Sequence, residues 1–140
     1  MTTITYKDRI VAYDSRAKAG ESITSDNREK RFTINNVDFF MCGAPSDFKE
    51  FFRVYFEGGE IESHLEAAGL AWDGVKLFHV GHANKHCYSS PLDLSEPWAC
   101  GSGEDYAITA MDMGATAKEA IKWAMKRDTG TGGRIRTFKI

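Results

Sequence analysis

Cysteine is scarce in this 140-residue chain, and the three that occur, Cys42, Cys87 and Cys100, cannot all pair and show no Cys-x-x-Cys spacing. That excludes a disulfide framework and suits reduced thiols in a reducing compartment. Proline is equally rare, with three residues and no Ser/Gln-rich tract around them, so the chain lacks the composition of a disordered or repetitive segment. No apolar run approaches the roughly 18 residues of a membrane span. The opening Met1-Thr2-Thr3-Ile4 lacks the charged and apolar regions of a secretion signal. Neither sign of charge prevails: the formal net charge is −2, which removes the basic footprint of a nucleic-acid or anionic-lipid binder despite a locally basic C-terminal end. A single cytoplasmic domain over residues 1–140, with neither nucleic acid nor membrane as partner, is the expectation.

What is present is an ordinary folding composition, 42% hydrophobic and 27% charged, arranged in clear periodicities. Thr3 to Tyr6 and Arg9 to Asp14 read as a hairpin turning at Lys7 and Asp8. A polar stretch from Ser15 to Arg31 follows. Phe32 to Ile34 and Val37 to Met41 then form a second hairpin around Asn35-Asn36. Phe48, Phe51, Phe52 and Tyr55 recur at helical spacing, which predicts a helix from about Asp47 to Glu57 with Ser46 as its N-cap and Gly58-Gly59 as its stop. A shorter helix is expected from Glu60 to Ala68, and a third hairpin from Val75 to Val80 and Lys85 to Ser90. Past Pro97 come a strand into Gly101-Ser102-Gly103 and a helix from Glu104 to Met113. A further helix is capped by the Thr116 and Glu119 box, and a closing strand runs from Arg134 to Ile140. Helices in pairs between runs of antiparallel strands predict an α+β fold, a four-layer αββα sandwich.

Thr2 is the first residue with chemical interest. Removal of Met1 is favoured before a small residue, and it would leave Thr2 with a free α-amine beside its own Oγ. An α-amine titrates near 7.7 to 8.0, so at neutral pH a useful fraction can accept the hydroxyl proton. Nucleophile and base then sit on one residue and no histidine is required. Lys30 beside such a hydroxyl would favour its deprotonated form, and Asp14 would keep that lysine charged. Read without further context, Asp14 is a turn residue and Lys30 part of the charged run Arg28-Glu29-Lys30-Arg31. Gly101-Ser102-Gly103 and Thr129 to Gly133 would be ordinary tight turns.

Several blocks in order carry more information than any one of them. Thr2-Thr3-Ile4, Asp14-Ser15-Arg16-Ala17, Glu29-Lys30, Cys42-Gly43-Ala44, Gly101-Ser102-Gly103 with Tyr106-Ala107, and Arg127-Asp128 with Thr131-Gly132-Gly133 span nearly the whole chain. In them the sequence resembles the proteasome β-subunits and their bacterial relative HslV, which are N-terminal-nucleophile threonine peptidases. The resemblance implies Thr2 as nucleophile, Lys30 as the cation beside it, and Asp14 as the partner of Lys30. It also implies Gly43 as the oxyanion N–H, and Ser102, Asp128 and Thr131 as the groups flanking the terminal amine. Thr131 stands where the family usually has serine, which keeps the hydroxyl.

The resemblance further places Lys18 and Gly20 in a peptide-pairing segment and Met41 at an S1 pocket, although methionine is an equally good core filler. It implies polypeptide substrates, a homo-oligomeric ring, and an ATP-dependent unfoldase as possible partner, with no cofactor. The chain is shorter than typical members, with compressed connections around residues 57–77. A catalytically silent subunit in a structural or inhibitory role, and a hydrolase of non-peptide amides, remain the alternatives. His79, His82, His86 and Cys87 match no standard structural-zinc spacing, so solvent-facing histidines and no metal are expected.

Overall fold

In a computed structural model, which describes residues 2–140, the chain forms two compact units. Residues 2–30 and Asp93–Ile140 belong to the first, and Arg31–Leu92 form the second.

The first unit starts with the hairpin of β1 (Thr3–Lys7) and β2 (Ile10–Tyr13). Its two-residue turn is Asp8-Arg9, both at positive φ, one residue later than the sequence suggests. The two-stranded sheet of β3 (Ala17–Ala19) and β4 (Ser22–Ser25) follows. β10 (Trp98–Gly101) pairs with the free edge of β1 and β11 (Arg136–Lys139) with that of β2, giving the antiparallel order β10-β1-β2-β11. Against this sheet lie α2 (Glu104–Asp112) and α3 (Ala117–Met125). Their buried faces are mostly small: Ala107, Ala120 and Ala124 with Met111, and Ala117 with Ile121 against Ala12. α3 begins at the expected capping box, with Thr116 and Glu119 exchanging both hydrogen bonds.

The second unit is an antiparallel sheet in chain order. β5 (Arg31–Ile34) and β6 (Val37–Gly43) turn at Asn35-Asn36, both at positive φ as the hairpin signal requires. β7 (Ala67–Trp72), β8 (Leu77–Ala83) and β9 (His86–Pro91) complete it. α1 (Pro45–Glu57) buries Phe48, Phe51, Phe52 and Val54 on a core shared with Phe39, Met41, Ile61, Leu65 and Val80. Phe39 and Phe52 approach to 4.8 Å between ring centroids. The N-cap is Ala44 with Pro45 in the first turn, rather than Ser46.

The four-layer αββα sandwich is not what the chain forms. Its strands divide among three antiparallel sheets, of four, two and five strands, and the described residues hold three helices rather than two pairs. Two local differences account for this. The polar stretch after Ser15 closes into its own small hairpin. The segment expected to be helical, Glu60 to Ala68, is irregular and then enters β7, so α1 is the one helix on the five-stranded sheet. β7 must be a strand because it fills the place between β6 and β8, and Gly69 there lies against the Phe40 carbonyl, where any Cβ would collide. No helix among the described residues is long and apolar enough to cross a membrane.

Candidate active site

Asp14 leaves the end of β2 fully buried, and its side chain is an acceptor for four donors. Oδ1 takes Lys30 Nζ at 2.8 Å and the Thr3 N–H at 3.1 Å; Oδ2 takes the Gly132 N–H at 3.0 Å and the Arg16 N–H at 3.3 Å. Lys30 is itself only 7% exposed. A buried carboxylate needs this degree of compensation, and a buried ammonium needs the carboxylate. The pair also joins the start of β1, the segment after β2 and the loop before β11 at one point.

A second cluster gathers at the end of β10. Ser102 donates its N–H to the Thr2 carbonyl at 2.9 Å, and Thr2 is 4% exposed. The Ser102 and Thr131 hydroxyls both donate to Asp128 Oδ2 at 2.5 Å, and the Gly130 N–H reaches Oδ1 at 3.2 Å. Asp128 is fixed from its own side by its N–H to the Ala124 carbonyl at the end of α3. Burial pushes the Asp128 carboxyl upward, but the two hydroxyls and the Gly130 N–H outweigh it and hold it below the usual carboxylate range. Asp128 is therefore an ionised acceptor between two hydroxyls.

Both clusters, with Thr2, Asp14, Lys30, Ser102, Asp128 and Thr131, belong to the first unit. Lys18 and Gly20 lie in its small hairpin, where Lys18 approaches Glu21 at 4.0 Å and Gly20 turns at φ 59°. Met1, whose removal is expected to free the Thr2 amine, lies outside the described residues. Gly43 and Met41 belong to the second unit. Gly43 ends β6 at φ 123°, and a Cβ there would strike the Glu66 carbonyl, so backbone packing alone demands glycine. Met41 is buried in that unit's core. In the same unit His79 bonds the Tyr88 hydroxyl at 3.2 Å, with burial lowering its pKa, and His82 Nε2 lies 2.6 Å from the Leu65 carbonyl. His86 is exposed, and the Cys87 thiol points to the Phe51 carbonyl. Among the described residues no three His, Cys, Asp or Glu side chains are grouped to hold a metal ion.

No family model matches the chain, and no curated protein matches it in sequence. Solved structures do match. The chain shares the fold of Thiobacillus denitrificans BPH. With BPH in complex with epoxomicin the identity is 20% and the TM-score 0.70, over 99% of this chain and 97% of that one. With a second BPH structure the identity is 19% and the TM-score again 0.70, over 99% and 96%. At that identity the likeness to BPH is one of fold.

Three residues of the site went unassigned in the sequence. Thr3 bonds Asp14 through its N–H and Thr131 through its hydroxyl, and the only signal for it is the Thr2-Thr3 pair. Gly101 has φ 103°, and a Cβ on it would strike the Thr2 carbonyl. At Gly132 a Cβ would collide with the Arg16 guanidinium, which lies across it and is held by Asp26 at 2.9 Å. Glycines that let chains approach look in sequence like any other turn glycines.

Proposed function

We propose that the chain is a threonine-type peptidase, similar to the proteasome β-subunits, in which Thr2 freed of Met1 is the nucleophile. The observation that carries this is the ionised Asp128 bridging the Ser102 and Thr131 hydroxyls, with Ser102 bonded to the Thr2 backbone. A carboxylate flanked by hydroxyls beside Thr2 suits an amine that must take up a proton and give it back. The Thr2 amine accepts the Oγ proton as Oγ bonds the peptide carbonyl carbon. The C–N bond then breaks, that proton leaves with the departing amine, and water hydrolyses the resulting ester. Lys30, paired to Asp14, supplies the positive charge that favours the alkoxide as it forms.

The substrates are polypeptides and no cofactor takes part. The three cysteines, present as thiols, suit the cytoplasm. Assembly with further copies into a ring, served by an ATP-dependent unfoldase, belongs to the same reading. Between α2 and α3 runs an open groove of about 860 Å³, bordered by Tyr106, Met113 and Trp123, which are 47%, 85% and 53% exposed. α2 carries Glu104, Asp105 and Asp112 and no basic residue, whereas α3 and its end carry Lys118, Lys122, Lys126 and Arg127 with Glu119 as the lone acid. A second copy turned through a two-fold axis sets acidic helix against basic helix over the apolar strip, a pairwise contact separate from those that close a ring.

BPH has been solved in complex with epoxomicin, a peptide epoxyketone, so that compound is the probe. Intact mass is measured on purified protein before and after epoxomicin, with Thr2→Ala as control. Loss of the Met1 mass and one adduct absent from the control are expected. Retained Met1 without an adduct would overturn the peptidase reading in favour of a catalytically silent subunit.

A further inference from the structure

Thr3 and Thr131 are both buried, and their hydroxyl oxygens lie 2.6 Å apart. A hydroxyl has one proton to give. Thr131 gives its proton to Asp128, so the proton between the two threonines belongs to Thr3. Thr3 Oγ1 in turn accepts the Gly103 N–H at 3.1 Å. The direction of the whole chain follows: Gly103 N–H to Thr3, Thr3 to Thr131, and Thr131 to Asp128, which also receives Ser102. Space for it is kept by the absence of a side chain at Gly103, where a Cβ would press on Thr3 Oγ1 and come within 3.0 Å of both Thr131 Oγ1 and the Ala124 methyl.

We propose that Thr3 is a positioning residue of the candidate active site: its hydroxyl pins Thr131 so that Thr131 and Ser102 present only lone pairs to the amine of Thr2. This rests on the reading of Thr2 as nucleophile. With both hydroxyl protons committed to Asp128, the pair can accept from an ammonium but has nothing to donate to it, which is the polarity that the protonated amine needs. Bonds in such a chain polarise one another, so the Thr3 proton strengthens the bond from Thr131 to Asp128 as well as fixing its direction. Thr3 also donates its N–H to Asp14, so one residue next to the nucleophile is held by both clusters.

The test compares Thr3→Val, Thr3→Ser, Thr131→Val and the Thr3→Val/Thr131→Val double variant, by peptide turnover and by amide hydrogen exchange at Gly103. Thr3→Val is expected to lower kcat about tenfold with KM within about twofold, and Thr3→Ser to recover most of that loss. The double variant should be no worse than Thr131→Val alone, because the two act through one chain. Gly103 exchange should accelerate in Thr3→Val by about tenfold or more and stay near wild type in Thr3→Ser. Additive losses, a serine no better than valine, or an effect confined to KM would each overturn the proposal. If the wild type turns over no peptide and takes no epoxomicin, the peptidase reading has failed, and Gly103 exchange still decides on the chain. Exchange in Thr3→Val equal to wild type would then sink the hydrogen-bonded chain by itself.

Discussion

Asp14 and Asp128 are both carboxylates in the first unit, yet a change at each should register differently. Asp14 is fully buried and Lys30 nearly so, and Asp14→Asn removes the carboxylate charge that Lys30 faces at 2.8 Å. A cost of about 3–5 kcal/mol is expected, read as a lowered urea midpoint, since breaking one side of a buried pair exposes the full desolvation of the other. An unchanged midpoint would mean that Lys30 finds water or another acceptor. Asp128 is more accessible, and its effect shows in pH. Its folded pKa is depressed, so its contribution is present above the unfolded value near 4 and is lost as pH falls through the folded pKa. The melting temperature of wild type should therefore fall more steeply below about pH 4 than that of Asp128→Asn; parallel curves would contradict the assignment. These two carboxylates were legible in the sequence because each lies in a block resembling a known site. Thr3 was not, because its role depends on which way one proton points, and no residue pattern encodes that.

Among the elements, the hairpins were legible wherever a turn chemistry fixed them. Asn35-Asn36 tolerates positive φ and marks its turn in the sequence, whereas Asp8-Arg9 lies one residue past the expected Lys7-Asp8 turn because arginine gives no such signal. The long helix α1 followed from its phenylalanine spacing, and α3 from its capping box. The expected helix overlaps β7 only at Ala67 and Ala68, and the rest of that strand carries no signal in the sequence, because Ala-Ala-Gly-Leu-Ala-Trp has little β-branching and its real determinant is close packing against β6. Gly69 on β7 and Gly43 on β6 mark that approach from opposite sides. Gly43→Ala must force a Cβ into the Glu66 carbonyl at a φ that side chains resist, which should cost several kcal/mol, about 2 or more. Thermal unfolding checks this independently of any activity. A variant as stable as wild type would show that the β6–β7 junction relaxes easily, and the glycine would then need a reason other than packing.

At the scale of the whole molecule, the strand-rich composition and helix count pointed to packed layers but not to how the strands divide. Sheet membership depends on long-range pairing, as when β10 and β11 join a hairpin laid down at the other end of the chain. Assembly is a further step of the same kind, and on the reading proposed above a second copy covers the α2–α3 groove. Burying Trp123 beneath a second copy would set it near the acidic α2 of that copy, so Trp123→Glu removes apolar area and adds like charge together. Because Trp123 is half exposed, the isolated fold should lose little, within about 0.5 kcal/mol. Sedimentation velocity is therefore expected to show wild type as a species well above 15.6 kDa and Trp123→Glu shifted toward the single chain. High salt should weaken the wild-type assembly if the helix charges contribute. Wild type sedimenting as a single chain at all concentrations would remove the second copy as occupant of the groove, and an assembly indifferent to Trp123→Glu would place the contact on another face.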